Sequence, residues 1–148
     1  MTKTKKRHHG KPDPFQYLKV DAAPAPETEV QDALRDFILV FVQRTKQDRA
    51  AKFLLDPVKR RQGLSALFGW LDRRKTQELE GATGFPQNIQ ATIGGVPGLF
   101  VDHDRRLHLT APEAAVLGLD CALFISDDRA IALVFAEVGS PTLCIARR

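Results

Sequence analysis

Cysteine is scarce. The 148 residues hold two, Cys121 and Cys144, and both lie in apolar runs that read as strands. Neither sits in a local pattern that marks a nucleophile. Both read as small buried hydrophobes of a reducing, cytoplasmic compartment. A disulfide between them requires their strands to pair. Long apolar runs are also missing: the longest in the N-terminal half is Phe37–Val42, against roughly 20 residues for a spanning helix. The basic start, Lys3, Lys5, Lys6 and Arg7, leads into Gly10-Lys11-Pro12-Asp13-Pro14. An apolar segment would follow in a secretory signal, so none is expected, and no membrane partner. Signature motifs are absent too. There is no P-loop, no G-x-G-x-x-G, no H-E-x-x-H and no C-x-x-C, so the sequence predicts no cofactor and no metal.

What is present is an ordinary globular composition, 43% hydrophobic and 27% charged. A chain of this length buries roughly 68–70% of its unfolded surface and needs no staple to fold. Charge is distributed unevenly. Residues 1–75 carry 17 Lys/Arg and 9 Asp/Glu, whereas residues 76–148 carry 5 and 9. A front half at +8 and a back half at −4 predict an anionic partner for the front half. RNA or DNA comes first, an acidic protein surface second. The alternative is that the two halves neutralise each other.

Residues 1–26 read as a flexible basic tail and a Pro-containing linker, and 27–148 as one α+β domain. No internal repeat is visible. A capping box, Thr28 with Gln31, predicts a helix whose Val30, Leu34, Phe37, Ile38 and Phe41 share one face. It runs to Leu55 or breaks near Asp48. Asp56-Pro57 predicts a second start, with Leu64, Leu67, Phe68 and Leu71 as the core stripe and an end near Arg73–Thr76. That makes a helical part of 27–76. The sheet part covers about 89–147: a short strand at Ile89–Ile93, a hairpin turning at Asp104-Arg105, and strands at Cys121–Ser126, Ala130–Glu137 and Thr142–Ala146. A short helix opened by Thr110 and closed by Gly118 interrupts it. Phe124, Ile131, Leu133 and Phe135 occupy one face, and Ala130, Ala132, Val134 and Ala136 the other. A sheet apolar on both faces is covered twice. The fold class is α+β, with N-terminal helices packed on a C-terminal, mainly antiparallel sheet.

Three constellations bear on function. Lys59, Gly63, Ala66, Trp70, Arg73 and Arg74 fall on one helical stripe opposite the core stripe. An indole beside guanidiniums suits a single-stranded nucleic acid, stacking a base and pairing phosphates. Lys59, Trp70, Arg73 and Arg74 are therefore the expected docking residues of a non-catalytic binding protein. The bland reading places Trp70 under the sheet and the arginines at a solvated helix end. The second constellation, Asp102-His103-Asp104 with His108, offers an acid–base or metal-assisted enzyme, against polar residues on a wet hairpin. The third, Gly94-Gly95-Val96-Pro97-Gly98, is explained by a turn into a strand. A protein-partner subunit, held through apolar surface of the first helix, is a further alternative.

Overall fold

The computed structural model describes residues 22–79, 96–102, 105–109, 122–138 and 140–148. The basic tail, the Ile89–Ile93 strand and the Thr110–Gly118 helix lie outside the described residues, as do His103, Asp104 and Cys121. Helices occupy the N-terminal half: α1 (Glu27–Phe41), α2 (Gln47–Leu54) and α3 (Arg60–Trp70). The first expected helix is thus two, parted by a 3₁₀ turn at Arg44–Lys46. Glu27 and Glu29 in the first turn of α1 suit the positive end of its dipole. The expected capping box does not form. Gln31 instead donates to the Glu27 carboxylate and to the Leu55 carbonyl oxygen at 2.6 Å, tying the start of α1 to the end of α2. The Asp56 carboxylate accepts from Val58 N at 2.9 Å and holds one turn, after which α3 begins at Arg60.

The strands are β1 (Ala22–Pro24), β2 (Thr76–Leu79), β3 (Gly98–Val101), β4 (Arg106–Leu109), β5 (Ala122–Ser126), β6 (Ile131–Val138) and β7 (Ser140–Arg147). They form one antiparallel sheet in the order β1-β4-β3-β5-β6-β7-β2. Two edge strands escaped the sequence reading. β1 lies in the expected linker, and β2 falls between the expected helical part and the expected sheet part. β7, which carries Cys144, pairs with β6 and β2 and not with β5, while Cys121 lies outside the described residues.

Both sheet faces are buried. Leu99, Val101, Leu123, Ile125, Ala132, Val134, Cys144 and Ala146 share one core with the helices. Phe100, Leu109, Ala122, Phe124, Leu133, Phe135 and Ile145 make a second core on the other face. The small residues of β6 therefore lie under the helices and the large ones on the far side, because backbone cylinders approach small side chains most closely. Gly98 is fixed by such an approach: a Cβ there would lie 2.3 Å from Ile125 O and 2.6 Å from Phe124 Cζ. The glycine-rich stretch thus ends on a packing requirement. Among the described residues no helix is long and apolar enough to cross a membrane.

The C-terminal ends of α1 and α3 meet in a reciprocal clamp. Val42 and Leu71 form an antiparallel bridge. Gln43 N donates to Trp70 O and Asp72 N to Phe41 O, each at 2.8 Å. Each chain then enters a 3₁₀ turn, Arg44–Lys46 or Arg73–Lys75. Phe41-Val42-Gln43-Arg44-Thr45-Lys46 and Trp70-Leu71-Asp72-Arg73-Arg74-Lys75 are one pattern used twice. The repeat does not stand out in the sequence because only the order aromatic, aliphatic, polar, Arg, any, Lys is kept. Side chains cross the clamp as well. Gln43 Nε2 donates to Gly69 O and Leu71 O, both at 3.2 Å, and Lys75 Nζ to Val40 O at 2.9 Å. Helix-end carbonyls that would otherwise lack donors are thereby satisfied.

Candidate anion-binding site

The structure separates the four expected docking residues. Trp70 is 8% exposed and belongs to the core, with its ring 6.1 Å from that of Phe53. It offers no open face on which a base can stack, so the packed alternative describes this residue. Gly63 is buried with it: a Cβ there would meet Leu54 Cδ2 at 2.9 Å and Phe53 Cβ at 3.0 Å. The cause is that α3 is covered from two sides, by the sheet and by α2. Its buried arc is wider than the leucine stripe. Lys59 is exposed one residue ahead of α3, about 16 Å from the basic turn by helix rise.

Arg73 and Arg74 do come together, on the 3₁₀ turn that also carries Lys75. All three are exposed. Asp72 orders the turn: its carboxylate accepts from Arg74 N, Nε and Nη2, each at 3.1 Å. The Arg74 side chain, its largest influence, holds the Asp72 carboxyl below the usual range, and Asp72 raises the Arg74 guanidinium in return. Arg73 lies 3.7 Å from Glu78 in an exposed pair.

Beside this turn, β2 and β7 pair with Thr76 opposite Ala146 and Gln77 opposite Ile145. That register brings Arg147 and Arg148 next to Arg74 and Lys75. The four cations line one open depression of about 470 Å³, together with Thr76, Gln77 and Ile145. Among the described residues no carboxylate side chain lines it, although Asp72 holds the Arg74 guanidinium from outside. Sequence reading missed Lys75, Arg147 and Arg148. A doublet of arginines after an apolar strand is visible, but only the β2–β7 pairing places it beside residues seventy positions earlier.

Ion pairing keeps the front half basic. Among the described residues, the contacts joining the halves mainly set front-half acids against back-half side chains: Glu27 and Asp36 pair with Arg106 at 2.8 Å and Arg129 at 3.3 Å, and Glu29 meets the His108 imidazole at 2.6 Å. Only the Arg73–Glu78 contact runs the other way. The halves attract each other, yet these contacts draw mainly on the front half's acids and leave Lys59, Arg73, Arg74 and Lys75 exposed.

The histidine hairpin is assembled differently from its expectation. Leu99 pairs with His108, Phe100 with Leu107 and Val101 with Arg106. Asp102 N donates to Arg105 O at 3.0 Å, so the turn lies one residue earlier than Asp104-Arg105. Phe100 and Leu107 share a face. Asp102 lies on their side of the hairpin and His108 on the other, because successive side chains alternate. Asp102 is engaged by Arg105, whose backbone N and Nη2 approach its carboxylate at 2.6 and 3.0 Å. The imidazole's carboxylate is Glu29 of α1. Among the described residues no group of three or more His, Cys, Asp or Glu is placed to hold a metal. His103 lies outside them.

A tighter polar cluster sits nearby. Arg60, buried at the start of α3, donates through Nε to Leu54 O at 2.8 Å and through both terminal nitrogens to Glu27, at 3.1 and 2.6 Å. Glu27 also accepts from Gln31 and Arg106. The Arg60 hydrogen bonds, the largest influence, hold its carboxyl at about 2, against 4.5 ordinarily, even though burial pushes it up. With its donors already committed to protein oxygens, this cluster joins α1, α2, α3 and β4.

Comparison with family models, curated proteins and solved structures finds no match to this chain.

Proposed function

We propose that the protein is a non-catalytic binding protein that docks a nucleic-acid strand by its phosphates. The observation that carries this reading is the depression lined by Arg74, Lys75, Arg147 and Arg148 without a carboxylate among them. Phosphate contacts fix position and carry no sequence information, whereas base contacts need stacking or edge readout. With Trp70 packed inside, binding rests on phosphates and is blind to sequence. It is also steep in salt, since each neutralised phosphate releases counterions.

The test is anisotropy of labelled single- and double-stranded RNA and DNA at about 50 and about 200 mM salt. Two contacts predict a loss of affinity of about tenfold over that range, and four, with Arg74 and Lys75 exchanging Asp72 and Val40 O for phosphate, about a hundredfold. Replacing Arg74 and Arg148 with glutamine should weaken binding for every sequence alike and lower the salt slope by about two contacts' worth. Trp70 fluorescence should stay unchanged on binding. No saturable binding, or an unaltered double variant, removes nucleic acid from this depression. An acidic protein surface would then be its remaining candidate.

A further inference from the structure

We infer that the groove between α1 and α2 docks a second copy of the same chain, the two grooves meeting about a twofold axis. This inference is independent of the anion-binding reading. The groove holds about 300 Å³, with Ile38, Leu39, Ala51 and Leu55 as its apolar part. Leu39 is 69% exposed, on a helix whose other apolar face is fully buried. A large aliphatic side chain left in water beside an apolar groove is what an interface covers.

The ends of the groove identify the occupant. α1 and α2 run antiparallel: Gln31 Nε2 reaches Leu55 O at 2.6 Å, and Gln47 Nε2 reaches Val42 O at 3.2 Å. Arg35, one turn after Gln31, therefore lies at the Leu55 end. Asp48, next to Gln47, lies at the Leu39 end. A groove that is cationic at one end and anionic at the other complements itself under a twofold rotation, as a symmetric dimer interface must. The rotation sets Arg35 of one copy against Asp48 of the other and lays each Leu39 toward the opposite Leu55 end. Arg35 is free to turn: its own contact, Asp32 at 3.4 Å, is an exposed pair of the kind that contributes little.

Sedimentation velocity of the full chain from about 2 to about 200 µM reads the outcome by mass action. The expected result is a shift with concentration from 16.5 kDa toward twice that mass. Leu39→Asp, which touches an exposed position only, should raise the dissociation constant at least about tenfold. Arg35→Glu or Asp48→Lys alone should weaken the dimer, and the two together should restore it. A monomer at every concentration overturns the proposal. So does a Leu39→Asp protein that dimerises as the parent does, or a double charge exchange that fails to recover.

Discussion

At the scale of single residues, Glu27 has the largest measurable consequence. Its carboxylate lies between Arg60 and Arg106, with Gln31 as a third donor. The carboxyl sits at about 2 in the folded protein and near 4.5 when unfolded. A depressed carboxyl contributes stability that is fully present above the unfolded value and is lost as pH falls through the folded one. The window is therefore from about pH 5 down to about pH 2, and the contribution at neutral pH is up to about 3 kcal/mol. Urea unfolding across that window should show the loss in the parent protein. Glu27→Gln should flatten it, while destabilising the protein by about 3 kcal/mol at neutral pH because Arg60 stays buried without its counter-ion. None of this was legible in the sequence. Glu27 meets its partners Arg60 and Arg106 across thirty-three and seventy-nine positions of chain, and no local pattern marks such a contact.

At the scale of elements, α3 offers an internal comparison. Gly63 and Gly69 occupy the same helix, and alanine is the better helix former at both by about 1 kcal/mol. At Gly69 a Cβ would meet nothing within 4 Å. Gly69→Ala should therefore stabilise the protein by about 0.5–1 kcal/mol. At Gly63 the Cβ would press on Leu54 and Phe53, and Leu54 is fully buried with nowhere to go. Gly63→Ala should destabilise by about 1–3 kcal/mol, the range for overpacking. Thermal melts of the two variants read opposite signs. Periodicity resolved α1 well because its buried positions form a single stripe: Val30, Leu34, Phe37, Ile38 and Phe41 are all buried. It misplaced the buried arc of α3 because α2 covers a second side, and hydropathy does not register a neighbouring helix. The end of α1 at Phe41 was equally hidden, since Val42 leaves the helix to bridge Leu71.

At the scale of the whole molecule, the sheet separates two cores that differ in what made them readable. Alternation in β6 exposed both faces in the sequence, and the prediction of a doubly covered sheet follows from it. Pairing of β1 with β4 and β2 with β7 could not be read, because a three-residue or four-residue edge strand carries too little pattern. The far core has a testable weight. Phe124 and Phe135 are fully buried there, as Phe37 is on the helix side. Phe124→Ala and Phe37→Ala should each cost about 3–5 kcal/mol in urea unfolding. A small loss at Phe124 would mean that the far face contributes little to folding. The candidate site belongs to this scale too. Its four cations come from the end of the helical half and the end of the last strand, so the charge split pointed to Arg74 and Lys75 only, and topology brought Arg147 and Arg148 from the acidic half beside them.

The strand order has a consequence for synthesis. The early strands, β1 and β2, take the two outer edges, and all five strands between them come later in the chain. As the polypeptide leaves a ribosome, its helices emerge before there is any sheet to lie on. The stripe of Val30, Leu34 and Phe37 stays wet, and β2 waits for β7. Pairings this distant carry a loop-closure cost before they are rewarded. Pairing of β2 therefore has to wait until β7 has been made. A chain stalled before Ser140 presents its apolar stripe to whatever holds or degrades unfinished proteins.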